Sequence, residues 1–104
     1  MPEVPRQYTR FQERFPEVAK LHADLSLAVN RHGPLDERAR RLVRLGIAIG
    51  EESPGGVKSH ARRALEEGFK ADELRHAALL ALSTAGFPAM IAAAEWIEEV
   101  ISEP

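Results

Sequence analysis

There is no cysteine in this chain of 104 residues. That excludes disulfides, thiolate metal sites and any chemistry in which a thiolate attacks or is oxidised. Charge of either sign is also not in excess: the net charge of −2 gives nothing to attract nucleic acid or an anionic membrane surface, so neither is expected as a partner. Glycine and proline, seven of each, are too few for a disordered or fibrous chain. No apolar run reaches the roughly eighteen residues of a membrane span, and the opening MPEVPRQYTRFQERF is polar rather than a secretory leader. The expectation from these absences is an ordered cytoplasmic protein whose length allows one domain over 1–104, with a loose arm at 1–7.

What is present is helical periodicity from end to end, with no strand signal and no internal repeat. Pro16 opens a helix whose apolar positions are Val18, Leu21, Leu25, Ala28 and Val29, and His32-Gly33-Pro34 ends it. A second helix begins near Asp36, an acid suited to a helix N-terminus. Its expected core stripe is Ala39, Leu42, Val43, Gly46 and Ile47; Glu37, Arg40, Arg41 and Arg44 form the polar stripe, with Glu37 and Arg41 spaced to pair. Beyond Leu45 the run LGIAIG is apolar all round, which predicts burial on every side. The residues Glu51 to Gly56 read as a turn, and Val57, Ala61, Ala64 and Leu65 as the apolar face of a third helix capped by Gly68.

Asp72 and Glu73 open a fourth helix with Leu74, Ala77, Ala78, Ala81, Leu82 and Ala85 inward, preceded by Lys70, which cannot accept an N-cap hydrogen bond. Gly86-Phe87-Pro88 breaks the pattern before a last helix that turns Met90, Ala93, Ala94, Ile97 and Ile101 inward. Leu79 and Leu80 lie off the main stripe of the fourth helix, leaving more apolar surface than so short a chain covers alone, so a homo-oligomer is expected. Trp96 and Phe87 are expected to be packing residues, and His22 and His32 ordinary surface or rim residues. Glu73 and His76 have the spacing of one helical half of a di-iron site, but no second such pair exists and no metal is expected.

The sequence from Ser59-His60 through Ala64, Leu65, Gly68, Asp72-Glu73 and Gly86-Phe87-Pro88-Ala89 resembles the carboxymuconolactone decarboxylase and alkylhydroperoxidase D superfamily, over about residues 35–101. The resemblance implies an all-α subunit of about five to six helices, assembled as a trimer or hexamer. In the peroxidase branch a C-x-x-C pair lies seven and four residues before the histidine, and a relay glutamate nineteen before it; here those positions are Ser53, Gly56 and Arg41, so thiol peroxidase activity is not expected. Many decarboxylase members carry a His-Glu pair where this chain has Gly55 and Gly56.

Two functions follow from the resemblance. One is a cofactor-free acid–base enzyme, lyase-like, acting on a small carboxylated lactone or enol. His60 would be its catalytic proton carrier, and Arg41, Arg44, Glu51 and Glu52 its candidate substrate-binding residues; the arginines suit a carboxylate. The other is a binding or assembly module that has lost the family's chemistry, with His60 a packed core residue.

Overall fold

A computed structural model describes residues 6–104; of the loose arm expected at 1–7, residues 1–5 lie outside the described residues. Arg6 and Gln7 belong to a helix, α1 (Arg6–Arg14), that the periodicity did not announce. The remaining helices are α2 (Pro16–Arg31), α3 (Glu37–Gly50), α4 (Pro54–Glu66), α5 (Ala71–Leu80) and α6 (Phe87–Ile101), with a 3-10 turn at Ala81–Ser83. Among the described residues there is no strand, and no helix is long and apolar enough to cross a membrane.

The chain divides into two compact units, Met1–Leu35 and Asp36–Pro104. In the first, α1 packs on α2, and the rings of Tyr8, Phe11 and Phe15 follow one another at 6.3–6.4 Å, with His22 edge-on to Phe11. The expected stripe of α2 is in large part open: Val18, Leu21, Leu25 and Val29 are all exposed, and only Ala19 of this helix is buried.

In the second unit α4 packs on both α3 and α6, and α5 on α6 and α3. The largest fully buried side chains are Leu45, Ile49, Val57, Leu74 and Ile97. Each contributes roughly 1.5–3 kcal/mol through the apolar surface it removes from water. On α6, Ala89, Ala93, Ile97 and Val100 are buried, with Met90, Ala94, Trp96 and Ile101 packed against the core.

Four expectations of this region are corrected. The core face of α3 is Leu45, Ala48 and Ile49, whereas Leu42, Val43 and Ile47 of the expected stripe, and Gly46 with them, are exposed. The segment LGIAIG is therefore not buried on every side. The fourth helix of the sequence reading stops at Leu80 rather than Ala85, its end tightening into the 3-10 turn, and Leu82 and Ala85 are exposed. Phe87, expected to pack, is exposed.

Local signals set the α4 boundaries. Ser53 is the N-cap, its hydroxyl accepting from the Gly56 amide at 3.1 Å, and Pro54 occupies the first turn, where its missing amide costs nothing. Pro54, Gly55 and Gly56, expected in a turn, are thus helical. At the other end the amide of Phe69 donates to the Ala64 carbonyl and that of Gly68 to Leu65, with Gly68 at φ +97°. This is a Schellman closure, and its left-handed position favours glycine. Asp36 caps α3 through its carboxylate and the Ala39 amide, 2.8 Å.

Candidate functional site

The core face of α3 continues toward its N-terminus through Arg41 and Arg44, so two arginines are turned toward α4 beside the apolar positions. Arg41 meets His60 of α4 and Glu67, the residue that caps the C-terminus of that helix. Its Nε and Nη2 donate to Oε1 and Oε2 of Glu67, each at 2.8 Å, a two-point pairing that fixes the plane of the guanidinium. Its Nη1 lies 2.7 Å from His60 Nδ1. The Arg41 side chain is only 13% exposed and that of Glu67 24%, so this ion pair is largely shielded from solvent, and His60 beside it is half-buried. The sequence spacing pairs Arg41 with Glu37; the observed ion pair is with Glu67.

The electrostatics follow from this arrangement. The Glu67 carboxyl is held below its ordinary range, first by the hydrogen bonds from Arg41. The Arg41 guanidinium is held above its ordinary value by the same bonds. The His60 imidazole is lowered from 6.5 to about 4, first by burial and then by the positive charges of Arg41, Arg63 and Arg44, with Glu67 opposing. At neutral pH His60 is therefore uncharged.

His60 also lines a cleft of ≈ 320 Å³, formed with Arg44, Ile47, Ala48, Glu51, Ser53 and Gly56. The cleft lies between the C-terminal half of α3 and the first turn of α4. Its glycine is structural: a Cβ on Gly56 would stand 2.9 Å from Ser53 Oγ and 3.2 Å from Ala48 Cβ. Of the candidate residues, His60, Arg44 and Glu51 thus come together around one space. Arg41 touches His60 but does not line the cleft. Glu52 is exposed at a left-handed turn position, φ +53°, and is not among the lining residues.

The sequence reading named neither Glu67 nor Ser53 as a functional residue. Glu67 carried a signal, since it lies seven residues after His60, two helical turns along the same face. A second groove, ≈ 390 Å³, lies between α3 and α5 and is mostly apolar, with Glu73 and His76 among its lining. There Glu73 is bound to Arg38 and to the Lys70 amide. No three histidine, aspartate or glutamate side chains converge in a metal-binding cluster among the described residues.

An all-helical fold with a half-buried histidine between two helices, beside a small cleft of mixed polarity, defines the class. The sequence model of the carboxymuconolactone decarboxylase family matches residues 16–99, and the chain belongs to that family. No curated protein matches it. Among solved structures, the apo crystal structure of a carboxymuconolactone decarboxylase family protein from Legionella pneumophila is similar, with a TM-score of 0.79 at 24% identity, over 91% of this chain and 85% of that one. This likeness establishes the shared fold.

Proposed function

We propose that the cleft beside His60 is a small-molecule site for a carboxylated lactone or enol, and that the protein is a cofactor-free, lyase-like enzyme on such a substrate. The observation that carries the reading is the convergence of His60, Arg44, Glu51 and Ser53 on one cleft. Loss of carbon dioxide from a carboxylate β to a carbonyl, or at the vinylogous position across a double bond, leaves the electron pair of the broken C–C bond as an enolate, which then takes up a proton. Arg44 supplies positive charge for the carboxylate, the neutral His60 contacts the ligand, and Glu51 is the lining carboxylate placed to carry the proton. The proton-carrying role expected of His60 passes to Glu51 in this reading, because Nδ1 of His60 faces the Arg41 guanidinium, which leaves the ring no second nitrogen for a proton relay.

A screen of carboxylated lactones and enols for decarboxylation or isomerisation tests it. Turnover that falls about 10²–10⁴-fold in Glu51→Gln supports the assignment. Binding without turnover favours the second reading, a ligand-binding module without catalysis, which draws support from the replacement of the family's relay acid by the fully engaged Arg41. Neither binding nor turnover sinks both.

A further inference from the structure

We infer that Arg41, clamped by Glu67, is a positioning residue that fixes His60 as the Nε2–H tautomer, so that the cleft meets its ligand with a neutral N–H donor suited to an oxyanion. The inference deepens the reading of the cleft given above and rests on it for the ligand class alone. A guanidinium has five N–H donors and no acceptor, and does not lose its proton in proteins. The ring nitrogen 2.7 Å from Arg41 Nη1 is Nδ1, so Nδ1 is the acceptor and carries no hydrogen. The single proton of the neutral ring then sits on Nε2. Arg41 cannot easily turn away, because its other two donor positions are bound to the two oxygens of Glu67.

The charges that act on the ring mostly favour its neutral form. Arg41 and Arg44 on α3 and Arg63 on α4 disfavour an imidazolium, and Glu67 opposes them. Because Arg41 does not line the cleft while His60 does, Nε2 is the ring nitrogen left for a ligand. A neutral N–H donor whose second nitrogen is occupied can stabilise developing negative charge on oxygen but cannot accept a proton at Nε2. It therefore acts on an enolate or carboxylate oxygen as a hydrogen-bond donor.

The test is imidazole ¹H–¹⁵N correlation NMR on the wild-type protein at pH 7, with His60 assigned by its loss in His60→Gln. The expected spectrum shows His60 as one neutral tautomer protonated at Nε2. In Arg41→Met the single tautomer is lost and the titration midpoint rises, whereas Arg41→Lys, which keeps a charged donor, retains the Nε2–H form. Oxalate, a planar mimic of an enediolate, shifts the Nε2–H resonance, and tetramethylammonium does not. An Nδ1–H ring, a tautomer mixture or an imidazolium in the wild type overturns the inference even if Arg41→Met fails to fold. A folded Arg41→Met that keeps the Nε2–H tautomer overturns the role of Arg41, and no response to oxalate overturns the ligand class. A lactone screen without turnover would instead count against the enzymatic reading and leave the tautomer result standing.

Discussion

Arg41 and His60 are nineteen residues apart in sequence and 2.7 Å apart in space, and the burial of His60, with the positive charge of Arg41 beside it, gives the protein a defined response to acid. His60 has an ordinary value of 6.5 and a folded value of about 4, so between those limits the unfolded chain binds a proton that the folded one refuses. Stability from this residue is complete above pH 6.5 and is lost as pH falls toward 4. The full shift corresponds to about 3 kcal/mol; partial exposure of the ring reduces the expected loss to roughly 1–2 kcal/mol. Urea unfolding at pH 7, 6, 5 and 4 should show this slope in the wild type and a flatter profile in His60→Gln, whose amide still offers Arg41 an acceptor. Parallel profiles would show that His60 is not the cause. Glu67, held below its ordinary 4.5, adds a loss in the same direction at lower pH, so the two windows are separable. Gly55 and Gly56 give a second comparison, since a Cβ meets nothing within 4 Å at Gly55 but presses on Ser53 and Ala48 at Gly56. Gly55→Ala should stabilise by about 0.5–1 kcal/mol through the unfolded chain, whereas Gly56→Ala should destabilise by about 1–3 kcal/mol. Thermal melts with the same sign for both would contradict the packing described. The steric limit at Gly56 also opposes insertion of the cysteine pair of the family's peroxidase branch, and cysteine at Ser53 would remove the α4 cap.

At the scale of the element, punctuation was legible in the sequence and facing was not. Pro16, Asp36, Gly68 and Gly86-Phe87-Pro88 each mark a boundary that the structure keeps, because each acts through its own backbone or capping chemistry. Helix α3 shows the opposite case. Between Leu42 and Ile49 nearly every position is apolar or glycine, so period alone cannot choose the buried stripe, and the face through Arg41, Arg44, Leu45 and Ala48 won over the one through Leu42, Val43 and Ile47. The polar stripe did offer Arg41 and Arg44 as candidates, but gave no sign that Arg41 meets Glu67 and His60. Helix α1 does carry a period, with Tyr8 and Phe11 three residues apart, but it is only nine residues long, otherwise polar, and has no buried residue, so its signal was short rather than absent. Lys70, which precedes α5 with φ −87° and ψ 152°, has the backbone of an N-cap but no acceptor; only the reverse half of the box forms, from its amide to Glu73 at 2.8 Å. Lys70→Thr should complete the box and stabilise the fold by about 0.5–1 kcal/mol, read as a raised urea midpoint at unchanged slope. An unchanged or lowered midpoint would mean that the Lys70 side chain contributes something the missing cap does not explain.

The whole subunit leaves much apolar surface open. Leu42, Val43 and Ile47 on α3, Leu79 and Leu80 on α5, Leu82 in the 3-10 turn, and Phe87 and Ile91 on α6 are all exposed, several by half or more. A chain of 11.5 kDa that kept these side chains in water would carry apolar surface beyond what monomeric soluble proteins usually expose. The sequence signalled this through Leu79 and Leu80, off the main stripe of their helix, and both are exposed as that reading requires. Ile47 in the run beyond Leu45 is 55% exposed and adds to this open surface. We therefore expect light scattering at micromolar concentration to give the mass of an oligomer, the trimer or hexamer being the forms that the family resemblance implies. Leu79→Glu combined with Leu80→Glu would place two charges on the surface to be covered. Since neither side chain belongs to the buried core, that change should shift the mass toward 11.5 kDa while leaving helical content by circular dichroism unchanged. A monomeric wild type would defeat the expectation outright. An intact oligomer in the double variant would move the interface away from α5, toward the exposed apolar residues of α3 or those of α2, whose Val18, Leu21, Leu25 and Val29 are open in the same way.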